Sequence, residues 1–264
     1  MLNVTARVVY FLHLHKAGGT TICSMAKAIY ATPNNNNCNV PRDMWYNEPF
    51  QVRYQHAAYF GNSQEQMTSV YENVLSHKWE FAANEGSLED AFPFKDYFYI
   101  TVLRNPIDLY ISAYLFMPGF GGGMGKGSRS DFRDWLDVGW YGDNFMTRRL
   151  CGHACNSINY NFSSAKGDHL VPTPLSLKQY ERAVSNLRRF DVVMTLESLQ
   201  VGINKLATLR PEWRHTVVPP RLNAMNPTTH QWIRDDPVAM KELSAKIHFD
   251  SLLYNLYSNK PMRF

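Results

Sequence analysis

The sequence predicts an α/β fold, read as one domain over 1–264, with a central, mainly parallel sheet flanked by helices. Two stretches and one negative finding carry that expectation. Val8 to Leu14 reads as a buried strand and is followed by His15-Lys16-Ala17-Gly18-Gly19-Thr20-Thr21, after which Ile22, Met25, Ala26 and Ile29 recur at helical spacing. Tyr97 to Leu103 is apolar, aromatic and β-branched throughout, as a strand covered on both faces should be, and a second helical pattern follows it. No internal repeat interrupts this alternation of strand and helix, which is the pattern of a parallel sheet.

Composition sets the bounds. A chain of 264 residues with 45% hydrophobic and 19% charged residues is long enough for a well-buried core and too apolar for disorder. Its 27 basic and 23 acidic residues leave a formal net charge of only +4, so nucleic acid is not an expected partner. No run of about 18 apolar residues is present, so no transmembrane segment is expected in the chain. The four cysteines, Cys23, Cys38, Cys151 and Cys155, are too few for a disulfide scaffold but allow one or two bridges. Asn3-Val-Thr5 and Asn161-Phe-Ser163 have the form of glycosylation acceptors.

Taken in order, the first helix ends near Pro33 and the run Asn34 to Asn37, and an irregular excursion with Pro41, Pro49, Trp45 and Tyr46 follows. A polar segment over 63–76 has helical character, and Trp79 to Ala83 reads as a second parallel strand ending at Asn84-Glu85-Gly86. After the strand over 97–103, Pro106 suits a first helical turn, and Ile107, Tyr110, Ile111, Tyr114 and Leu115 continue the helix to Pro118. The glycine-rich stretch from Gly119 to Ser128 looks like a nucleotide loop. It fails the Walker pattern, because Phe120 stands where glycine is needed and Gly127 where Ser or Thr is needed, so it reads as a loop or lid. Phe132, Trp135, Trp140 and Phe145 suggest helices over the sheet, ending at Cys151-Gly152-His153-Ala154-Cys155, where a bridge or two buried thiols are expected ahead of a zinc site. The remainder predicts a helix over 177–187, a strand over 191–196, a helix over 199–209, a Pro-rich loop to Pro227 and one long helix over 237–257.

The chemistry gathers at the turns after the two best strands. Adjacent glycines let the backbone bend sharply and approach a ligand, a helix N-terminus favours an anion, Thr20 or Thr21 can cap that helix, and Lys16 adds a positive charge. Arg104 and Ser112 give the second turn and its helix a cation and a hydroxyl. Each turn alone is equally an ordinary strand-to-helix connection with a surface cation. Together they offer two anion sites at the edge of one parallel sheet, suited to a ligand with two phosphate-like ends.

The segment from Phe11 to Thr21, Phe-Leu-His-Leu-His-Lys-Ala-Gly-Gly-Thr-Thr, resembles the 5′-phosphosulfate loop of sulfotransferases that use 3′-phosphoadenosine 5′-phosphosulfate (PAPS). The segment from Tyr99 to Ser112 resembles their 3′-phosphate motif, and the likeness is nearest to the heparan sulfate 6-O-sulfotransferases and related Golgi carbohydrate sulfotransferases. Weaker likeness lies in Asn144 to Leu150, Phe190 to Glu197 and Asp250 to Tyr254. The resemblance implies a P-loop-like α/β domain that transfers a sulfonate group to an acceptor hydroxyl, usually on a glycan, without a metal. It implies that Lys16 contacts the bridging and sulfonate oxygens, that Lys16, Ala17, Gly18, Gly19, Thr20 and Thr21 form the 5′-phosphate cradle, and that Arg104 and Ser112 hold the 3′-phosphate. Ala17 departs from the family, which commonly has Thr or Ser there. The histidine that the 6-O enzymes carry after the second strand is replaced near Glu85, so Glu85 is the expected general base, with His15 and His56 as rivals.

The alternatives are a nucleotide-dependent phosphotransferase of the P-loop type and a non-catalytic nucleotide or glycan binder; the failed Walker pattern weighs against the first. Arg148, Arg149, Arg188, Arg189, Arg210, Arg214 and Arg221 can either line a groove for an acidic polysaccharide or form solvated faces. The expected location is the Golgi lumen if a native N-terminal anchor has been removed, and the cytoplasm otherwise.

Overall fold

The computed structural model describes residues 8–30, 80–84, 87–88, 97–116, 129–138, 143–152, 155, 174–215 and 231–258. The excursion after the first helix, the polar segment over 63–76, the glycine-rich stretch, the Pro-rich loop, Glu85, His56, Arg221 and both glycosylation triplets lie outside them.

Four strands, β1 (Val8–Leu12), β2 (Phe81–Asn84), β3 (Tyr97–Leu103) and β4 (Val192–Thr195), form an all-parallel sheet in the order β2-β1-β3-β4. Leu12 pairs with Asn84 on one side and with Thr101 on the other, and Leu103 pairs with Thr195. The C-terminal ends of all four strands thus lie along one edge. Every residue of β1, β3 and β4 is buried, which explains why they read as continuous apolar runs and not as alternating ones.

The two faces of the sheet carry different helices. Val9, Phe11, Phe98, Ile100 and Val102 pack with Ile22, Met25 and Ala26 of α1 (Gly19–Ile29) and with residues of α6 (Leu199–Leu209). Tyr10, Leu12, Tyr97 and Tyr99 face the other side, with α2 (Pro106–Phe116), α3 (Arg129–Val138), α4 (Phe145–Cys151) and α5 (Leu177–Leu187) in the same core. α2 is buried at Pro106 and at every residue from Leu109 to Leu115, because Phe132 and Trp135 of α3 cover the side turned away from the sheet. Chain leaving β1 therefore goes to one face and chain leaving β3 to the opposite face. That reversal between adjacent strands opens a crevice at their C-terminal ends, where ligands of open α/β sheets bind.

Several expectations are corrected. α1 is capped by Gly18 in a left-handed conformation, with no side-chain bond, so neither Thr20 nor Thr21 caps it. The cysteine expectation is met, since Cys151 and Cys155 form the bridge expected there ahead of a zinc site; Cys23 is disulfide-bonded as well. A short helix, α7 (Gln231–Arg234), was not expected. The single helix over 237–257 is two, α8 (Pro237–Lys246) and α9 (His248–Ser258). Asn144 explains that break. Its N–H donates to the Lys246 carbonyl at 2.8 Å, and its side-chain oxygen accepts from the N–H groups of Phe249 at 2.7 Å and Asp250 at 3.2 Å, capping the new helix. Tertiary contacts interrupt an apolar period that the sequence continues without a break.

Candidate functional site

The turn after β1 is built from two left-handed residues. Lys16 has φ 63° and Gly18 φ 87°. The second is natural for glycine, whereas a lysine in that region is uncommon and held there by its surroundings. Ala17 N–H donates to the Leu14 carbonyl at 3.0 Å, closing the turn, and Gly18 carbonyl receives Thr21 N–H at 3.0 Å and Ile22 N–H at 3.2 Å to start α1. Gly18 is required by its left-handed φ and Gly19 by close approach. A Cβ at Gly18 would stand 2.8 Å from Leu196 Cδ1, and one at Gly19 would stand 1.9 Å from His13 Nε2. His13 therefore lies beneath the first turn of α1, stacked on Phe11 with ring centroids 5.5 Å apart.

The turn after β3 is tied to the first. Arg104 donates from Nη1 to the Lys16 carbonyl at 2.8 Å, and Thr101 Oγ1 donates to the Leu12 carbonyl at 2.9 Å, so β3 grips β1 at two successive points. Asn105 caps α2, its side-chain oxygen accepting from Ile107 N–H at 3.0 Å. Glu197, just past β4, accepts the Asn105 N–H at 2.8 Å and the Tyr254 hydroxyl at 2.9 Å.

The structure brings Lys16, Gly18, Gly19 and Arg104 together at the switch between β1 and β3. The Lys16 ammonium lies 3.7 Å from the centroid of the Phe116 ring, at the last turn of α2. Thr20 is exposed and Thr21 half-buried at the start of α1, and Ala17 is buried. Ser112 is buried in α2, six residues after Pro106 and so about 9 Å along the helix axis. Asn84, immediately before Glu85, ends β2 beside Leu12, at the same edge.

His15 is buried, and its ring meets Phe116 edge-on at 5.7 Å. Burial first, then the charges of Lys16, His13 and Arg149, hold its imidazole well below the ordinary value. Burial, with Lys16 adding, pushes His13 down to about 4. Both rings are neutral at physiological pH, and a histidine so depressed is a weak proton acceptor.

Of the six described arginines considered for a groove or for solvated faces, three are exposed and three are buried. Arg148 is buried, paired with Asp143, and donates to the Cys155 carbonyl at 2.9 Å; Arg210 is buried and bonded to Glu212 at 2.6 Å. Arg188, Arg189 and Arg214 are exposed. Arg149 is buried and turns inward, donating to Ser87 Oγ at 3.1 Å while its carbonyl receives the Leu88 N–H at 2.9 Å. It thereby fixes the chain just after β2 and brings a cation near His15.

The three segments of weaker likeness interlock around the site. Asp250 accepts from the N–H groups of Met146 at 3.1 Å and Thr147 at 2.7 Å and from the Thr147 hydroxyl at 2.7 Å, capping α4. Tyr254, one turn later, reaches Glu197, and Glu197 reaches the Arg104 turn. Sequence reasoning did not single out Thr101, Glu197, Ser87 or His13. A usable signal existed for the first three, since polar residues at the C-terminal ends of parallel strands share one edge. Neither models of known protein families nor curated proteins give any match to this chain.

Proposed function

We propose that this protein is a sulfotransferase that moves the sulfonate group of PAPS to an acceptor hydroxyl, on a carbohydrate, using a P-loop-like α/β domain. The observation that carries the reading is the Arg104 bond to the Lys16 carbonyl, which joins two cationic turns into one crevice at the sheet's switch point. One turn is a close-packed glycine bend at a helix N-terminus, the other an arginine before a capped helix. A bisphosphorylated nucleotide fits such a pair better than a single anion does. The residues present fit the cofactor: Gly18 and Gly19 let the chain turn tightly into the start of α1, whose N-terminal end favours an anion, with Lys16 and Arg104 beside it.

In this reading Gly18, Gly19, Thr20 and Thr21 hold the 5′-phosphate with backbone and hydroxyl donors, while Arg104 and Ser112 hold the 3′-phosphate. PAPS, when bound, supplies an electrophilic sulfonate on a good leaving group. Lys16 stabilises the negative charge that builds on the leaving oxygen, and Glu85 accepts the proton of the acceptor hydroxyl. Three disulfide-bonded cysteines, Cys23 and the Cys151–Cys155 pair, favour an oxidising compartment such as the Golgi lumen over the cytoplasm.

Thermal denaturation tests the cofactor class. Adenosine 3′,5′-bisphosphate at a hundred times its dissociation constant should add about 2.7 kcal/mol to stability. Magnesium-ATP should add far less. A larger shift with magnesium-ATP would make the protein a phosphotransferase. Transfer of radiolabelled sulfonate from PAPS to a panel of glycans then separates an enzyme from a binder, and no transfer to any acceptor would favour the binder.

A further inference from the structure

Arg104 is followed by a peptide that a neighbouring strand holds in place. Glu197 belongs to the 3₁₀ turn Leu196–Ser198 directly after β4, and β4 pairs with β3 so that Leu103 lies opposite Thr195. From there one carboxylate oxygen accepts the Asn105 N–H at 2.8 Å, and the other accepts the Tyr254 hydroxyl at 2.9 Å. Asn105 in turn caps α2 through its own side chain, accepting from Ile107 N–H at 3.0 Å and, more weakly, from Asp108 N–H at 3.4 Å. The residue next to Arg104 is therefore fixed on both sides, by Glu197 at its N–H and by α2 at its side chain. A carboxylate here is favoured by the neighbouring cations, but its repulsion of an incoming phosphate carries an electrostatic cost. Two donors engage both oxygens and reduce that cost. Burial and the Glu197 charge keep the Tyr254 phenol above its ordinary value, so it remains a donor at every physiological pH.

We propose that Glu197 is a positioning residue for the 3′-phosphate: by holding the Asn105 peptide it sets where the Arg104 guanidinium stands, and Tyr254 holds Glu197. The assignment rests on the reading of Arg104 as the 3′-phosphate ligand. It predicts an effect that depends on the 3′-phosphate and passes through Arg104, which general destabilisation would not produce.

Calorimetry on the full chain tests it, with adenosine 3′,5′-bisphosphate and adenosine 5′-phosphate as probes. Glu197→Ala should weaken the bisphosphate by about three- to tenfold, the span of one ordinary hydrogen bond, and the monophosphate by less than about twofold. Glu197→Gln keeps an acceptor for Asn105 and should restore bisphosphate affinity to within about twofold of the parent. In an Arg104→Ala background, Glu197→Ala should add no further loss. Equal losses for both nucleotides, full additivity with Arg104→Ala, or unchanged affinity in Glu197→Ala would each overturn the assignment. Where Glu197→Ala does not fold, Tyr254→Phe carries the test: a loss confined to the bisphosphate supports the proposal, and no loss overturns it. A parent that binds the two nucleotides equally tightly refutes the 3′-phosphate reading of Arg104 itself, a result distinct from a failure of Glu197 alone.

Discussion

Replacing Gly19 by alanine tests how the anion turn is built. An alanine Cβ would stand 1.9 Å from His13 Nε2, 2.2 Å from Cδ2 and 2.3 Å from Cε1, whereas ordinary contact begins near 3.4 Å. The imidazole has little room to retreat, being buried and stacked on Phe11. Overpacking of this kind costs about 1–3 kcal/mol, and the upper half applies here because the obstacle is a rigid ring and not the end of a flexible chain. At about 2–4 °C per kcal/mol for a domain of this size, thermal denaturation should show a fall of about 4–12 °C. The exposed neighbour Thr20→Ala should stay within about 0.5 kcal/mol of the parent. Removing the obstacle should remove the penalty, so Gly19→Ala should cost almost nothing in a His13→Ala background. An equal cost of Gly19→Ala in both backgrounds, or none in the parent, would refute the packing of His13 under the first turn of α1.

Arg104→Ala should weaken adenosine 3′,5′-bisphosphate by about ten- to a hundredfold, the usual worth of a charge-assisted contact. Adenosine 5′-phosphate should lose only a few-fold, through release of the Lys16 carbonyl; calorimetry showing equal losses would place Arg104 elsewhere in the site. Lys16→Ala should lower turnover far more than cofactor affinity, and a dissociation constant rising as steeply as turnover falls would make the lysine a ground-state anchor. Glu85→Gln should cut turnover by about a hundredfold with the cofactor held as before; near-parental turnover beside a collapse in a folded His15→Ala or His56→Ala variant would give the role to that histidine. Acid should remove the contribution of the buried histidines. With His13 at about 4 when folded and near 6.5 when unfolded, the unfolded chain takes up the proton first, so this ring's contribution is complete above about pH 6.5 and about 3 kcal/mol of it is lost by pH 4, while buried Asp250, pushed up to about 6, acts in the opposite sense over the same range. His15 is displaced in the same direction as His13 and adds to the loss. A His13→Ala variant whose denaturation midpoints fall as steeply as the parent's from pH 7 to pH 4.5 would contradict the burial of that ring.

The parallel sheet and its two cationic turns were legible because each depends on local signals. The strand over 97–103 is apolar, aromatic or β-branched at every position, and the predicted helices over 177–187 and 199–209 coincide with α5 and α6. Lys16, the glycines and Arg104 announce themselves by spacing from a strand end. The remainder depends on distant contacts. Nothing near Ile247 in the sequence announces a helix break, because the cap comes from Asn144, about a hundred residues earlier. Arg148 and Arg210 look like surface cations until Asp143 and Glu212 are seen to pair with them. Glu197 follows a short strand in an unremarkable turn, and only the β3–β4 register brings it to the residue after Arg104.

That same edge argues for the kind of base the reaction uses. His15 stands beside Lys16 and Arg149, and each cation, added to burial, makes its imidazole a poorer proton acceptor. A carboxylate brought to these cations is affected in the opposite sense, because they stabilise its charged form and keep it ready to accept. The sequence provides one in Glu85, between Asn84, paired with Leu12, and Ser87, held by Arg149. On the proposed reading, a carboxylate so stabilised would be a weak base, which would limit when it could act. A sugar hydroxyl becomes acidic enough for it only as the oxygen begins to bond to sulfur, so proton transfer must accompany bond formation and not precede it. In the proposed reaction, burial and these two cations would thus disfavour the histidine and favour a carboxylate that works late, when the proposed role of Lys16 on the leaving oxygen matters most.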